Sequence, residues 1–348
     1  MSERNGMNGT GGDARERVLE HLRADTCFVL ATHESVDGDA LGSLVGMQGL
    51  LGALGKDALM FMASSELPLP DEYRWFELPN LIQVPPADIA QRTVVFLDCG
   101  NIDRNSAEVL RDGAHLLNVD HHHDNTHFGT LDYVVASASC TAEIIWDLMH
   151  GLGVTPTLAV AEALYVGLVT DTGRFMYENT GPRAHQMAAE LIVAGVDPQE
   201  IYRRLYEDLP FAKIALLGRA LAQVQRYDGG ELTTAALSAA DFAWAQAEDS
   251  YSEGIIDHLR AVKGTKVAVL VRELTAAQRR GSHKVSLRAT GDDVDVSAIA
   301  RAQGGGGHRR AAGFTTTLEL DELIAFLRRE LAAQLHPEHD GHVAPAPA

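Results

Sequence analysis

Residues 115–123 read His-Leu-Leu-Asn-Val-Asp-His-His-His, a short apolar run that ends in Asp120, His121, His122 and His123. Other apolar runs end in the same residue types. His33, Asp37 and Asp39 follow residues 26–32, Asp98 follows 94–97, and Asp171 follows 157–169. A carboxylate or imidazole at the end of a buried strand is costly unless it is paired or bound to a cation. Several such endings in one half of the chain point to a shared metal site. Oxygen and imidazole donors without thiolates suit a hard-to-borderline divalent cation such as Mn²⁺ or Mg²⁺.

Around these endings the first half alternates two patterns. Residues 26–32, 57–62, 93–97 and 115–119 read as strands, and 40–54, 139–150 and 157–169 as helices. In 139–150, Cys140, Ile144, Ile145 and Leu148 share one face. Thr180 is expected as an N-cap with Pro182 in the first turn, opening a helix that reaches about Ala194 and stops at Gly195. Residues 71–86 hold several prolines and aromatics and read as loop. Strands alternating with helices predict an α/β fold: a largely parallel sheet flanked by helices. Such sheets bind ligands at the carboxyl ends of their strands, where Asp98 and Asp120 fall.

The texture changes after Tyr227-Asp228-Gly229-Gly230. Strand patterns at 231–237, 266–273 and 284–289, with helices at 296–303 and 321–334, predict a smaller α+β C-terminal domain. The expected division is a disordered arm 1–15, an α/β domain 16–207, a helical linker 208–226, a second domain 227–335 and a disordered tail 336–348, with a cleft between the domains. The histidines of the tail could bind metal adventitiously; an untethered tail is the simpler reading.

The chain has 348 residues, 46% of them hydrophobic, and a net charge of −19. No apolar stretch reaches the ~18 residues that a membrane helix needs, and the first residues lack the apolar core of a signal peptide. Three scattered cysteines, Cys27, Cys99 and Cys140, do not form a disulfide framework and fit a reducing, cytoplasmic setting. Cys99 reads as a small buried neighbour of Asp98. The acidic balance shows no basic stripe for long nucleic acid, duplex DNA included. Small anionic substrates remain compatible if metal and local Arg offset the field.

Each segment has a plainer reading when taken alone. His33-x-x-x-Asp37-x-Asp39 with Gly38, Gly42 and Ser43 is either a ligand-bearing turn before a helix or an Asp/Gly cap. Asp98 alone could cap the next element. In Asp120-His121-His122 one imidazole can bind metal while the other donates a proton or a hydrogen bond to phosphate; His123 reads as solvated. Their agreement in order and position favours the shared site. The run Gly304–Gly307 followed by His308-Arg309-Arg310 lets backbone approach a phosphate closely. Arg288 either reaches a terminal phosphate or is an exposed strand residue. Arg174 is a weaker phosphate candidate, with a surface ion pair as the alternative.

Together, His33-x-x-x-Asp37-x-Asp39-x-x-Gly42-Ser43, Asp98, Asp120-His121-His122 and Asp171 resemble the DHH phosphoesterases, from about residue 20 to 335. Residues 304–314 resemble the glycine-rich motif of the DHH-associated C-terminal domain. Length and arrangement are most similar to the bifunctional oligoribonuclease/PAP phosphatase (nanoRNase) group. The resemblance implies a two-metal site, normally with two Mn²⁺, Mg²⁺ or another divalent ion being the alternative. It implies His33, Asp37, Asp39, Asp98, His121 and Asp171 as ligands, with Asp98 bridging. It gives His122 and Asp120 the catalytic roles: His122 facing the scissile phosphate, Asp120 orienting the site. Substrate would be held by Arg288, Gly305, Gly306, Gly307, His308 and Arg309. Val36, where the family often has proline, and Arg309-Arg310, where many relatives carry less charge, are departures.

The implied activity degrades short oligoribonucleotides (nanoRNA) to mononucleotides and removes the 3′-phosphate of 3′-phosphoadenosine 5′-phosphate (PAP). A linear or cyclic dinucleotide phosphodiesterase is the enzymatic alternative. A nucleotide-sensing binding module is the non-enzymatic one. Partners are expected to be short nucleotides without a membrane, and the resemblance leaves a homodimer open.

Overall fold

The computed structural model describes residues 11–274 and 281–336. The chain divides into two compact units, Met1–Asp208 and Leu209–Ala348. No helix of the described residues is long and apolar enough to cross a membrane.

The first unit runs α1 (Gly11–Ala24), β1 (Cys27–Ala31), α2 (Gly38–Ala53), β2 (Asp57–Phe61), β3 (Leu81–Ile82), β4 (Thr93–Leu97), β5 (His115–Asp120), β6 (Leu131–Val134), α3 (Thr141–Leu152), α4 (Leu158–Asp171), α5 (Pro182–Val193) and α6 (Pro198–Tyr202). Its described strands form one sheet, in the order β3-β2-β1-β4-β5-β6. Every pairing in it is parallel. β4 is apolar or Thr throughout and buried along its whole length, as expected of a central strand covered on both faces. The register places the site. Ala31 pairs with Phe96, and Phe96 with Asn118. His33, Asp98 and Asp120 therefore each stand two residues past the same rung. α2 lies close on α4: a Cβ on Gly42 would sit 2.4 Å from the carbonyl oxygen of Ala163, so glycine sets that approach.

Several expectations need correction. The arm was expected to extend through residue 15, yet α1 begins at Gly11, and Arg15 is held by Asp147 (Nε to Oδ2, 2.6 Å). Residues 1–10 lie outside the described residues. Within the expected loop 71–86, β3 pairs with β2 at Met60–Leu81 and Phe61–Ile82; two residues are too short to show a period. β6 also escaped the sequence pattern. Thr180 is not the N-cap of α5; Gly181 holds that place without a side-chain cap, and the buried Thr180 hydroxyl has no hydrogen-bond partner among the described residues.

The second unit runs α7 (Phe211–Ala222), β7 (Gln225–Tyr227), β8 (Leu232–Leu237), α8 (Ala239–Ala245), α9 (Ile255–Arg260), β9 (Val267–Glu273), β10 (His283–Ala289), α10 (Val296–Arg301), β11 (Gly306–His308), β12 (Ala311–Thr316) and α11 (Leu320–Leu335). Its sheet order is β11-β12-β10-β9-β8-β7, with β8 and β9 parallel and the other pairs antiparallel. One apolar cluster joins Val269, Leu287 and Phe314 to Leu323 and Leu327. The other joins Ala268 and Leu270 to Leu216, Phe242 and Leu259. The segment 208–226 holds the expected helix, but it packs into the second unit rather than serving as a linker. Leu216 and Ala220 of α7 are fully buried in this second cluster, because the apolar stripe of α7 needs a sheet face to cover it. Of the expected tail, His336 caps α11; residues 337–348 lie outside the described residues.

Candidate metal centre

The carboxyl ends of β1, β4 and β5 bring the sequence-predicted ligands together. Asp98 leaves β4 in a left-handed conformation (φ 55°) and is 2% exposed. Among non-glycine residues Asp tolerates that region better than most. His33 Nε2 lies 3.4 Å from Asp98 Oδ2 and 3.8 Å from Asp37 Oδ2. His121 Nε2 lies 3.5 Å from Asp98 Oδ1 and 3.7 Å from Asp171 Oδ2. Two donor sets result. The ligand atoms of His33, Asp37 and Asp98 lie within 4.8 Å of one another, and so do those of Asp39, His121 and Asp171. Asp98 faces both sets, one carboxylate oxygen toward each imidazole.

The surroundings hold these groups in place. His33 Nδ1 is 2.8 Å from the carbonyl oxygen of Glu34, so as an N–H it donates there and turns Nε2 toward the carboxylates. Asp37 also caps α2, accepting from the Ala40 N–H at 3.0 Å. Asp39 accepts from the N–H groups of Thr141 (2.7 Å) and Ala142 (2.9 Å). Cys140 supplies no side-chain cap to α3, so Asp39 caps that helix from α2. Thr141 also donates its hydroxyl to Asp98 Oδ1 at 3.0 Å. One buried residue thus ties a carboxylate of one donor set to the carboxylate facing both. Asn179 donates to Asp171 Oδ2 at 3.2 Å.

His122 is placed differently. Its Nδ1 lies 2.7 Å from Asp120 Oδ1, while Asp120 Oδ2 accepts from Asn125 at 2.6 Å. Burial works against a charge on His122, but the Asp120 and Asp98 carboxylates outweigh it and lift its pKa to about 9. Burial alone would raise Asp98; His33, His122 and His121 hold it far below the usual carboxylate range. Asp39 goes the other way: burial, then the charges of Asp98 and Asp171, push it well up. Burial and the nearby carboxylates push Asp171 up as well, with His121 opposing.

Such a cluster is short of positive charge. Carboxylates that repel one another, edged by imidazole nitrogens, match a divalent cation with oxygen and nitrogen ligands. His123 is exposed, as expected of a solvated loop residue. Cys99 is buried, donates to the Asn101 carbonyl at 3.1 Å, and is pushed by burial to about 12, which makes it unreactive. Sequence reasoning missed Thr141, Asn125 and Asn179. The available signal was α3 itself, a buried helix opening at Cys140 with no capping side chain.

The substrate-binding candidates all fall in the second unit. Gly306, Gly307 and His308 form β11, paired with β12, and Gly307 has φ 132°. A Cβ on Gly305 would meet the Gly313 carbonyl oxygen at 2.2 Å. The N–H groups of Gly304 and Gly305 are spent on the Arg301 and Ala300 carbonyls, closing α10, so only part of the run is open to a phosphate. Arg309 donates to the Asp292 carbonyl at 2.8 Å. Arg288 is half-buried on β10 and donates to the Leu287 carbonyl at 3.1 Å. In the first unit, the guanidinium of Arg174, the weaker phosphate candidate, lies over the Tyr206 ring at 5.1 Å.

Residues 27–168 match the DHH family, N-terminal domain, and residues 240–333 match the DHHA1 domain. The chain is 36% identical over 324 residues to the bifunctional oligoribonuclease and PAP phosphatase NrnA of Thermus thermophilus, covering 90% of this chain and 93% of that protein. It is 26% identical over 309 residues to the protein of the same description from Bacillus subtilis, covering 86% and 93%. Among solved structures, an exopolyphosphatase-related protein from Bacteroides fragilis shares the fold at TM-score 0.83 and 21% identity, covering 94% of this chain and 98% of that one.

Proposed function

The chain belongs to the DHH family, and on that premise we propose that it hydrolyses short oligoribonucleotides to mononucleotides and removes the 3′-phosphate of PAP. The premise rests on the two matched domains and on the Thermus thermophilus relative named for both activities. The single observation that carries the chemistry is Asp98, which faces His33 and Asp37 on one side and His121 and Asp171 on the other.

In this reading two divalent ions, manganese by preference, would be held by His33, Asp37 and Asp98 and by Asp39, His121 and Asp171, with Asp98 serving both. When bound, such ions lower the pKa of a water and neutralise phosphate charge. The protein's own residues do the rest. Asp120 fixes the His122 ring through Nδ1 and leaves Nε2 for a phosphate oxygen or the departing ribose oxygen. The Asp120 carboxylate behind Nδ1 favours the protonated ring, so His122 can donate. Water's oxygen forms the new P–O bond as the P–O bond to the ribose oxygen breaks; the leaving oxygen takes the proton from His122 Nε2, and the proton given up by the water passes to solvent and restores His122. Arg288, Gly305, Gly306, Gly307, His308 and Arg309 would hold the rest of the nucleotide. The net charge of −19 disfavours long polyanions and leaves short ones as the natural substrates.

The test is one panel with Mn²⁺: a 5′-labelled RNA ladder, the linear dinucleotide pGpG, cyclic dinucleotides and PAP. Mononucleotides from the shortest RNAs and phosphate from PAP are expected. Faster turnover of pGpG or a cyclic dinucleotide than of the RNAs would replace this reading with the dinucleotide phosphodiesterase. Tight binding without turnover would replace it with a sensor.

A further inference from the structure

A second cluster with metal-ligand chemistry stands at the other end of the first sheet. His21 in the last turn of α1, Asp25 just after that helix, and His115 at the start of β5 bring their ligand atoms within 4.8 Å of one another. His21 Nδ1 lies 3.1 Å from Asp25 Oδ2, and the His21 and His115 rings are 4.7 Å apart between centroids. Thr93, which pairs with His115 in the sheet, donates its hydroxyl to the same Asp25 oxygen at 2.6 Å. Thr93 opens β4 and Asp98 follows its end, so the two clusters are separated by about 17 Å of strand.

We propose that His21, Asp25 and His115 form a zinc site distinct from the phosphoesterase centre, with Thr93 orienting the carboxylate. Two imidazoles and one carboxylate are a common zinc donor set, with water completing the tetrahedron. A hydroxyl behind a ligating carboxylate is the kind of outer contact that fixes a ligand's orientation. The end of α1 adds favourable field, because the carbonyl end of a helix attracts cations. Nearby cationic charge is committed elsewhere: Arg92 is paired with Asp57 and Asp88. Among the described residues, Asp25 has His21 as its only ion-pair partner. His115 is exposed, and His21 and Asp25 are part-buried, so an ion reaches the site from solvent. The bound ion would staple the end of α1 to the amino ends of β4 and β5, while Arg15 pins the start of that helix to Asp147.

The test compares full-length protein with H21A, H115A and T93V, each loaded with Mn²⁺ and then titrated with Zn²⁺. Zinc taken up at the phosphoesterase centre or by the C-terminal histidines is common to all and cancels in the difference. Wild type is expected to retain one zinc more than either His variant after desalting. Its unfolding midpoint is expected to rise with zinc by several degrees more than theirs, a shift of roughly 5 °C at saturating zinc. T93V is expected to bind that ion about 10-fold more weakly. H115Q, which keeps a polar side chain at the exposed strand start, guards against a folding defect, and unchanged PAP turnover shows that each variant is intact. Equal zinc content in wild type, H21A and H115Q would overturn the site.

Discussion

Asp39 in the first turn of α2 and Asp241 in the first turn of α8 are buried to nearly the same degree, 2% and 5% exposed, yet their surroundings differ. Asp241 accepts from the Ser238 N–H (2.9 Å), the Ser238 hydroxyl (2.8 Å), Gln223 (3.3 Å) and the Arg219 guanidinium (2.6 Å). Burial opposes its charge, but Arg219 and Ser238 outweigh it and lower its pKa to about 2. Asp39 also accepts two backbone N–H groups, but its charged neighbours are Asp98 and Asp171. Beside Asp241 the protein supplies a counter-charge, Arg219; the charges that act on Asp39 are carboxylates. A buried carboxylate left among carboxylates marks a place where cations complete the structure.

The contrast can be broken most forcefully at Asp98. Asp98→Ala is expected to cut PAP and short-RNA turnover by about 10²–10³-fold or more with the far-ultraviolet circular dichroism unchanged; near-wild-type turnover would remove its shared role. Next is Thr141, whose hydroxyl holds Asp98. Thr141→Val keeps the N–H to Asp39 and the side-chain shape, and should weaken Mn²⁺ binding by about 10–100-fold in calorimetry, with Thr141→Ser restoring it. If both variants bind Mn²⁺ like wild type, the hydroxyl has no part in positioning the carboxylate.

A smaller effect of opposite sign separates the regions further. In EDTA, Asp171→Asn removes a repelling charge and should stabilise the fold by on the order of 1 kcal/mol in urea unfolding. With saturating Mn²⁺ the same variant should be the less stable one. Destabilisation in both conditions would show that the cluster is balanced without cations. The smallest effect belongs to Asp241. Its folded pKa lies below the unfolded value, so its contribution is present above about pH 4 and lost as pH falls through about 2. Arg219 is half exposed, so screening limits this contribution to about 1 kcal/mol. The stability difference between wild type and Asp241→Asn should shrink by that amount between pH 5 and pH 2. A constant difference would assign the effect to packing.

Much of the first unit was legible because β1, β2, β4 and β5 are apolar runs of strand length, and β1, β4 and β5 lead into the candidate ligands. β3 and β6 were not, being too short or too mixed to show a period. α7 looked like a linker because its buried stripe is visible only against the sheet that covers it. The candidate ligands announced themselves by type, whereas Thr141, Asn125 and Asn179 act through contacts that appear only when α3 and the loops are seated on the sheet. The glycine run was legible as close backbone approach. Two of its amides close α10 instead of facing outward, which no sequence pattern reveals.

The shared rung of Ala31, Phe96 and Asn118 has a consequence for how this chain tolerates change in length. Removing one residue inside 93–97 would keep every ligand type, yet turn Asp98 to the opposite face of the sheet, since strand side chains alternate. Such a deletion should abolish catalysis as fully as deleting the carboxylate. One in the connection 71–86 leaves the alignment of β1, β4 and β5 untouched. Evolution is freer to lengthen or trim that connection than to alter the span of a single central strand.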